Sequence, residues 1–260
     1  VSPFLPRRPR AALLAGLLVL SPLTGAGLAG EVRPELSRAV KTEVPAARRS
    51  ALERGGEALP MHWKLSGFFG ALASLFVPSH GDAVLTFVPA GEDRLEVELL
   101  VTAPRRESEY FLYGAEIDRS TGATAQVWSS YRFGEKSVDR EQTVDEPDII
   151  DFASAIHRLR IDPPEHTRRL RIWNAGRTYP VDVEPLGRDR RKISGEKMDV
   201  VGFLVRGVKL KGERYFDDKF SVYFRDDDGL TPVEILGYRG WVRVRFELAP
   251  DPTGSEDGAR

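Results

Sequence analysis

Extended, strand-like runs recur through this chain at 8–14-residue spacing from residue 61 to residue 248. Residues 61–65, 83–88, 94–101, 109–117, 123–133 and 136–144 read as strands, rich in β-branched and aromatic side chains. So do residues 168–173, 177–183, 197–208, 219–225, 230–237 and 241–248. Turn-forming residues punctuate them: Gly91-Glu92-Asp93, the 118–122 loop, Asn174-Ala175-Gly176 and Arg239-Gly240. Residues 67–76 are apolar with two glycines and fit a bent strand or a loop tucked into the core. About a dozen strands joined by short turns form a meander, and a meander builds an antiparallel sheet. A sheet of that width is safest with its edges curled together. The predicted fold is mainly β: a large curved antiparallel sheet, barrel or half-barrel, with one packed α-helix.

That helix is expected over residues 144–160, where the apolar period changes. Ile149, Phe152, Ala153, Ile156 and Leu159 recur at helical spacing and share one face. Asp145 is placed to cap the N-terminus by accepting from the N–H of Asp148, and Pro147 fits the first turn. Arg158 and Arg160 suit the C-terminal end of the macrodipole, and Pro163-Pro164 forbids continuation. Asp151, Ser154 and His157 fall off the apolar face. Ser154 and His157 invite a nucleophile–base reading. No nucleophile elbow and no third orienting group accompany them, so a non-catalytic face, solvated or supporting its neighbours, is the reading adopted. The helix is expected to close one end of the curved sheet.

Residues 1–29 have the form of a secretory signal. Arg7, Arg8 and Arg10 precede an apolar run at 11–20, and small residues lead to a cleavage site after Ala29. The run is too short to span a membrane. Pro9 after Arg7-Arg8 favours the general secretory route over the twin-arginine one. Without these three arginines the balance is 35 basic to 39 acidic residues, which is no footprint for nucleic acid. The chain has no cysteine, which excludes disulfides, thiolate catalysis and a lipid-bearing cysteine. Residues 30–58 read as a linker or frayed helix, because Pro34 and Pro45 interrupt a weak apolar face. Residues 59–249 form the β-rich domain, and 250–260 a flexible tail.

The chemistry-bearing residues are scattered. His62, His80, His157 and His166 form no metal-binding spacing. Asp226-Asp227-Asp228-Gly229 lacks the alternation of a calcium loop and reads as a turn. Glu107, Glu109, Asp139, Glu141, Asp145 and Glu146 supply carboxylates, but alternation on exposed strands explains the same census. No catalytic residue, metal or cofactor is assigned. Aromatic residues occur on nearly every strand. As core they need no further role; as the lining of a groove they would suit a lipid chain or a peptide. The groove candidates are Trp63, Phe111, Trp128, Tyr131, Tyr223 and Trp241.

The order of these pieces is similar to a known family. A signal peptide leads into a β meander, then a helix carrying Asp151, Ser154, Ala155, Leu159 and Arg160. Near the end a strand runs through Asp226-Asp227-Asp228 to Pro232-Val233 and a last hairpin. This resembles the bacterial envelope family catalogued as domain of unknown function 3108, over residues 59–248. Residues 67–79 depart from the family pattern, being longer and more apolar. The resemblance implies export to the periplasm and a curved sheet shaped like that of periplasmic lipoprotein carriers. It implies no activity. Three function classes follow: a non-enzymatic binder of a lipid-like ligand or envelope protein, an assembly factor acting through protein contacts, and a carboxylate-dependent envelope hydrolase.

Overall fold

The computed structural model describes residues 43–66, 79–103, 109–133, 136–213, 215–239 and 242–250. The expected signal peptide, the apolar run at 67–76, Trp241 and residues 251–260 of the tail lie outside them. In chain order the elements are α1 (Val44–Glu53), β1 (Glu57–Ser66), β2 (His80–Pro89), β3 (Arg94–Thr102), β4 (Tyr110–Asp118), β5 (Thr124–Phe133) and β6 (Lys136–Thr143). Then come β7 (Ile149–Ile150), α2 (Phe152–Ile161), β8 (Arg168–Asn174), β9 (Arg177–Ile193), β10 (Glu196–Gly207), β11 (Lys219–Arg225), β12 (Pro232–Arg239) and β13 (Val242–Leu248).

The strands form one 13-stranded sheet, ordered β6-β5-β4-β3-β2-β1-β13-β12-β11-β10-β9-β8-β7. Every described pairing is antiparallel except the short parallel contact of β7 with β8. The β1–β13 pairing joins the first strand to the last. The edges of the sheet are therefore β6 and β7, which are neighbours in sequence. Side chains tie β6 across the seam to β8 and the β8–β9 turn: Trp173 Nε1 donates to Gln142 Oε1 at 2.8 Å, and Arg140 donates to the carbonyl of Ala175. The result is a curved, barrel-like sheet as expected, with a seam at β6. That strand is charged and almost wholly exposed, which blunts the free edge.

Alternation divides each strand between two faces. The inner face carries the main core, including Met61, Leu85, Leu99, Val127, Val222 and Phe246. Helix α2 lies inside it. Its start is near one rim, where the Phe152 ring is 4.6 Å from that of Phe220 and 6.0 Å from that of Tyr113. Its end closes the opposite rim. There Arg160 Nη1 donates to Glu57 at 2.6 Å, at the start of β1, and its Nε to the carbonyl of Gly229 at 2.8 Å, in the β11–β12 turn. Helix α1 packs instead on the outer face, its Val44 and Ala47 joining Ala58 of β1 against Val84 and Leu100.

Three expectations are corrected and one, for residues 30–58, is narrowed. The central helix begins at Phe152, not at residue 144, and Asp145 is exposed rather than capping. Ile149-Ile150, two adjacent β-branched residues, pair with Arg171 and Ile172 as a strand. The cap is Asp151: its carboxylate accepts from Ser154 N at 2.6 Å, while its own N–H donates to Ser154 Oγ at 2.8 Å. Second, Asp151, Ser154 and His157 are buried, because a helix enclosed by a curved sheet has no solvated face. Third, within residues 30–58, read as a linker or frayed helix, residues 44–53 form the helix α1. Pro45 falls in the first turn, where its missing N–H costs nothing, and Gly55 at φ 70° ends the helix. Fourth, β9 does not stop at residue 183. Pro185 and Gly187 signal a break, but they form a bulge opposite Gly202 and Phe203, and the strand bends on to Ile193. The bend swings the hairpin tip back over the sheet: Ser194 Oγ donates to the carbonyl of Leu248 at 2.6 Å.

Candidate apolar binding face

The inner face holds a run of aromatic rings in mutual contact. Phe111 stacks on Tyr131 at 6.0 Å, and Tyr113, Phe152 and Phe220 follow one another across the interior. Phe111 and Phe220 are buried; Tyr113, Tyr131 and Phe152 are half-buried against the core. These three half-buried rings present an apolar surface at the start of α2, facing away from the rim that Arg160 closes. Leu65 and Ala103, at the opposite rim where β1 and β3 end, are half-buried as well.

The six groove residues read from the sequence separate into two groups. Phe111 and Tyr131 meet on the inner face. Trp63, Trp128 and Tyr223 each lie over a glycine directly opposite on the neighbouring strand, Gly81, Gly114 and Gly202. A Cβ added at those glycines would stand 2.6, 2.4 and 2.6 Å from the ring above it. Each pair is thus an aromatic filling the gap its partner leaves, which is a role in the sheet itself. Trp63 donates its indole N–H to the carbonyl of Thr102 at 2.8 Å, and Trp128 donates to Glu98 at 3.1 Å. Trp128 and Tyr223 are on the outer face, in clusters separate from the main core. Trp241 lies outside the described residues. Tyr113 and Phe220 were not among the groove candidates, although Tyr113 is two residues from Phe111 and so shares its face.

Helix α2 carries the buried ionisable groups nearest this face. Burial raises the Asp151 carboxyl above its ordinary value, and the hydrogen bonds from Ser154 pull the other way. Burial also holds His157 below its ordinary value, helped by the charges of Arg160 and Arg119 and opposed by the Arg119 backbone and Glu57. Neither ring nitrogen of His157 makes a hydrogen bond of normal geometry; the ring packs 6.0 Å from Phe87. Ser154 Oγ is engaged in the capping box and fully buried. Among the described residues no hydrogen bond joins Ser154 to His157, so the nucleophile–base pair is not assembled. No group of three or more His, Asp or Glu is placed to hold a metal among them. No helix among them is long and apolar enough to cross a membrane.

Beside the seam, Gln142, Arg171, Gly176, Arg177, Thr178 and Glu213 line a shallow polar cleft of about 410 Å³. It is separate from the aromatic run.

No family model matches this chain, and no curated protein matches it. Several solved structures are similar to it, among them these three. One is a β-barrel-like protein of domain of unknown function 1849 from Brucella abortus, with TM-score 0.37 and 8% identity over 74% of this chain and 94% of that one. The second is the lipoprotein LppX of Mycobacterium tuberculosis, with TM-score 0.28 and 9% identity over 81% and 95%. The third is LprF from Mycobacterium bovis, with TM-score 0.28 and 11% identity over 80% and 97%.

Proposed function

We propose that this is an exported, non-enzymatic protein of the bacterial envelope that holds the apolar part of a lipid-like molecule on its inner face. The observation that carries the reading is the set of half-buried rings, Tyr113, Tyr131 and Phe152, packed against the core on the inner face, toward the end of the sheet away from Arg160. Water contact with three clustered aromatics is unfavourable, and an acyl chain laid on them would remove it. The signal-like residues 1–29 supply the route, and the order of motifs shared with domain of unknown function 3108 agrees with it.

Native mass spectrometry with lipid extraction, on protein purified from its own compartment, tests the reading. The wild type should carry an amphiphile, and Tyr113→Asp/Tyr131→Asp should lose it while remaining folded. A wild type that carries none, and that takes up no fatty acid offered in excess, overturns it.

The hydrolase reading draws less support. Asp151 is raised chiefly by burial, not by a second acid facing it. An assembly role would show instead as a stoichiometric protein partner in the same spectra.

A further inference from the structure

Five large apolar side chains are exposed among the described residues: Leu52, Ile161, Leu186, Leu210 and Tyr215. The first three are isolated on α1, at the end of α2 and at the β9 bulge. Leu210 and Tyr215, 39% and 42% exposed, share the loop between β10 and β11. That loop lies at the rim opposite the one Arg160 closes, because Gly207 ends β10 there and Lys219 begins β11. Phe216 anchors the loop: it is buried with its ring 5.7 Å from that of Tyr179. With Phe216 held inside, Leu210 and Tyr215 remain outside.

Cations flank these two side chains. Lys209 and Lys211 bracket Leu210, and the Lys209 ammonium stands 4.9 Å from the Tyr215 ring. At the same rim Lys219 and Arg243 approach the Tyr238 ring from either side, at 5.2 and 5.1 Å. Among the described residues none of these four cations has a salt bridge to a carboxylate; cation-rich positions elsewhere, such as Lys64 with Glu247, do. The loop's acids are Glu213, drawn toward Arg171 at 3.7 Å, the half-buried Asp218 and the exposed Asp217. Exposed apolar tips ringed by unpaired lysine and arginine have the composition of a surface that seats on anionic lipid headgroups.

We propose that this rim docks on an anionic membrane surface, with Leu210 and Tyr215 entering the interface and Lys209, Lys211, Lys219 and Arg243 against the headgroups. The proposal deepens the amphiphile-binding reading and rests on it for its purpose: docking would turn the apolar face at Phe152 and Tyr113 toward the bilayer from which a ligand comes. The surface itself stands on the exposed loop.

Co-sedimentation of the mature protein with vesicles tests it. Binding is expected to mixed phosphatidylcholine–phosphatidylglycerol vesicles, weakly or not at all to pure phosphatidylcholine, and to fall as salt rises. Each lysine lost should weaken it about fivefold, so Lys209→Glu/Lys211→Glu should lower it at least tenfold. Leu210→Ser/Tyr215→Ser should weaken it while leaving the salt dependence. All these positions are exposed, and thermal melts check that the variants fold. Equal binding to both vesicle types, no binding by the wild type, or unchanged binding by the lysine variant each overturns the proposal. The two readings fail separately. The lysine variant should still carry amphiphile in native mass spectra, whereas Tyr113→Asp/Tyr131→Asp should lose it and still sediment with anionic vesicles.

Discussion

Among the described residues two carboxylates are fully buried, and opposite faces of the sheet hold them in opposite ways. Asp151 lies inside, at the start of α2. One of its oxygens accepts from the backbone of Ser154, the other finds no partner of normal geometry, and burial raises its pKa. Glu234 lies outside, between two guanidinium groups. Arg191 Nε donates to it at 2.6 Å, and Arg245 donates to its other oxygen. The arginines extend a chain of alternating charge. Arg191 also meets Asp189 at 3.2 Å, Arg245 meets Glu247 at 3.0 Å, and Lys64 meets Glu247 at 2.9 Å. Burial works against the Arg191 cation, but Glu234 overcomes it and its pKa rises. The contrast is one of function within the fold. Asp151 needs only an acceptor oxygen, because its task is to cap a helix. Glu234 needs its charge, because it ties the back-folded β9–β10 hairpin to β12 and β13.

Neutral amide replacements should therefore separate the two. Glu234→Gln removes the fully buried counter-ion that Arg191 and Arg245 share, leaving them only the more exposed Asp189 and Glu247, and should cost about 3 kcal/mol, read as a lower urea midpoint. Asp151→Asn keeps a capping oxygen, since Asn caps as well as Asp, and should stay within about 0.5 kcal/mol of the wild type at neutral pH. Equal losses from the two would erase the distinction between a capping acceptor and a needed charge. Asp151→Ala removes the oxygen itself and should cost about 1 kcal/mol.

The same two regions show what could be read from the sequence. Most strands and the hairpin turns were legible, because alternation and Gly-containing turns are local signals. The C-terminal half of α2 was legible too, since Pro163-Pro164 and the spacing of Ile156 and Leu159 admit little else. The start of α2 was not. The Pro147 region and Asp151-x-x-Ser154 both look like helix beginnings, and only the pairing of Ile149-Ile150 with β8 chooses between them. The burial of His157 depends on the sheet closing around it. The clasp at Glu234 was invisible for a similar reason: Arg191, Glu234 and Arg245 meet only because a bulge at Leu186 bends β9 past residue 183, where its sequence pattern stops, on to Ile193. The candidate face was legible in kind but not in membership. Aromatic content pointed to it, but which rings lie over a facing glycine is set by register, and register is a property of two strands.

The inner region should also respond to pH through His157. The unfolded chain binds a proton as pH falls through about 6.5, whereas the buried ring does so only at lower pH. Its stabilising contribution is whole above about pH 6.5 and is lost as pH falls through the folded value. Asp151 acts in the opposite sense: the benefit of its protonated form is present below about pH 3.9 and is lost as pH rises through its raised folded value. Between about pH 7 and pH 5 the urea midpoint of His157→Leu should therefore fall less steeply than that of the wild type. Parallel slopes would mean that His157 titrates freely despite its burial.

The smallest effect expected is at Asp145. By spacing alone it is as good a cap as Asp151, with a proline two residues on and a run of apolar side chains behind. In the structure it is exposed in the segment between β6 and β7, and the helix starts at Phe152. A solvated carboxylate with no helix N–H groups to serve contributes little, so Asp145→Ala should move the urea midpoint by no more than about 0.5 kcal/mol. The value of this variant is in its pairing with Asp151→Ala. The two remove the same side chain six residues apart, and only one of them faces an unpaired helical N–H. If Asp145→Ala proved the more damaging, the helix would extend back across 149–150 and β7 would not exist as a strand. The parallel contact with β8 at the seam would then be lost, and with it the placement of Phe152 on which the candidate apolar face depends.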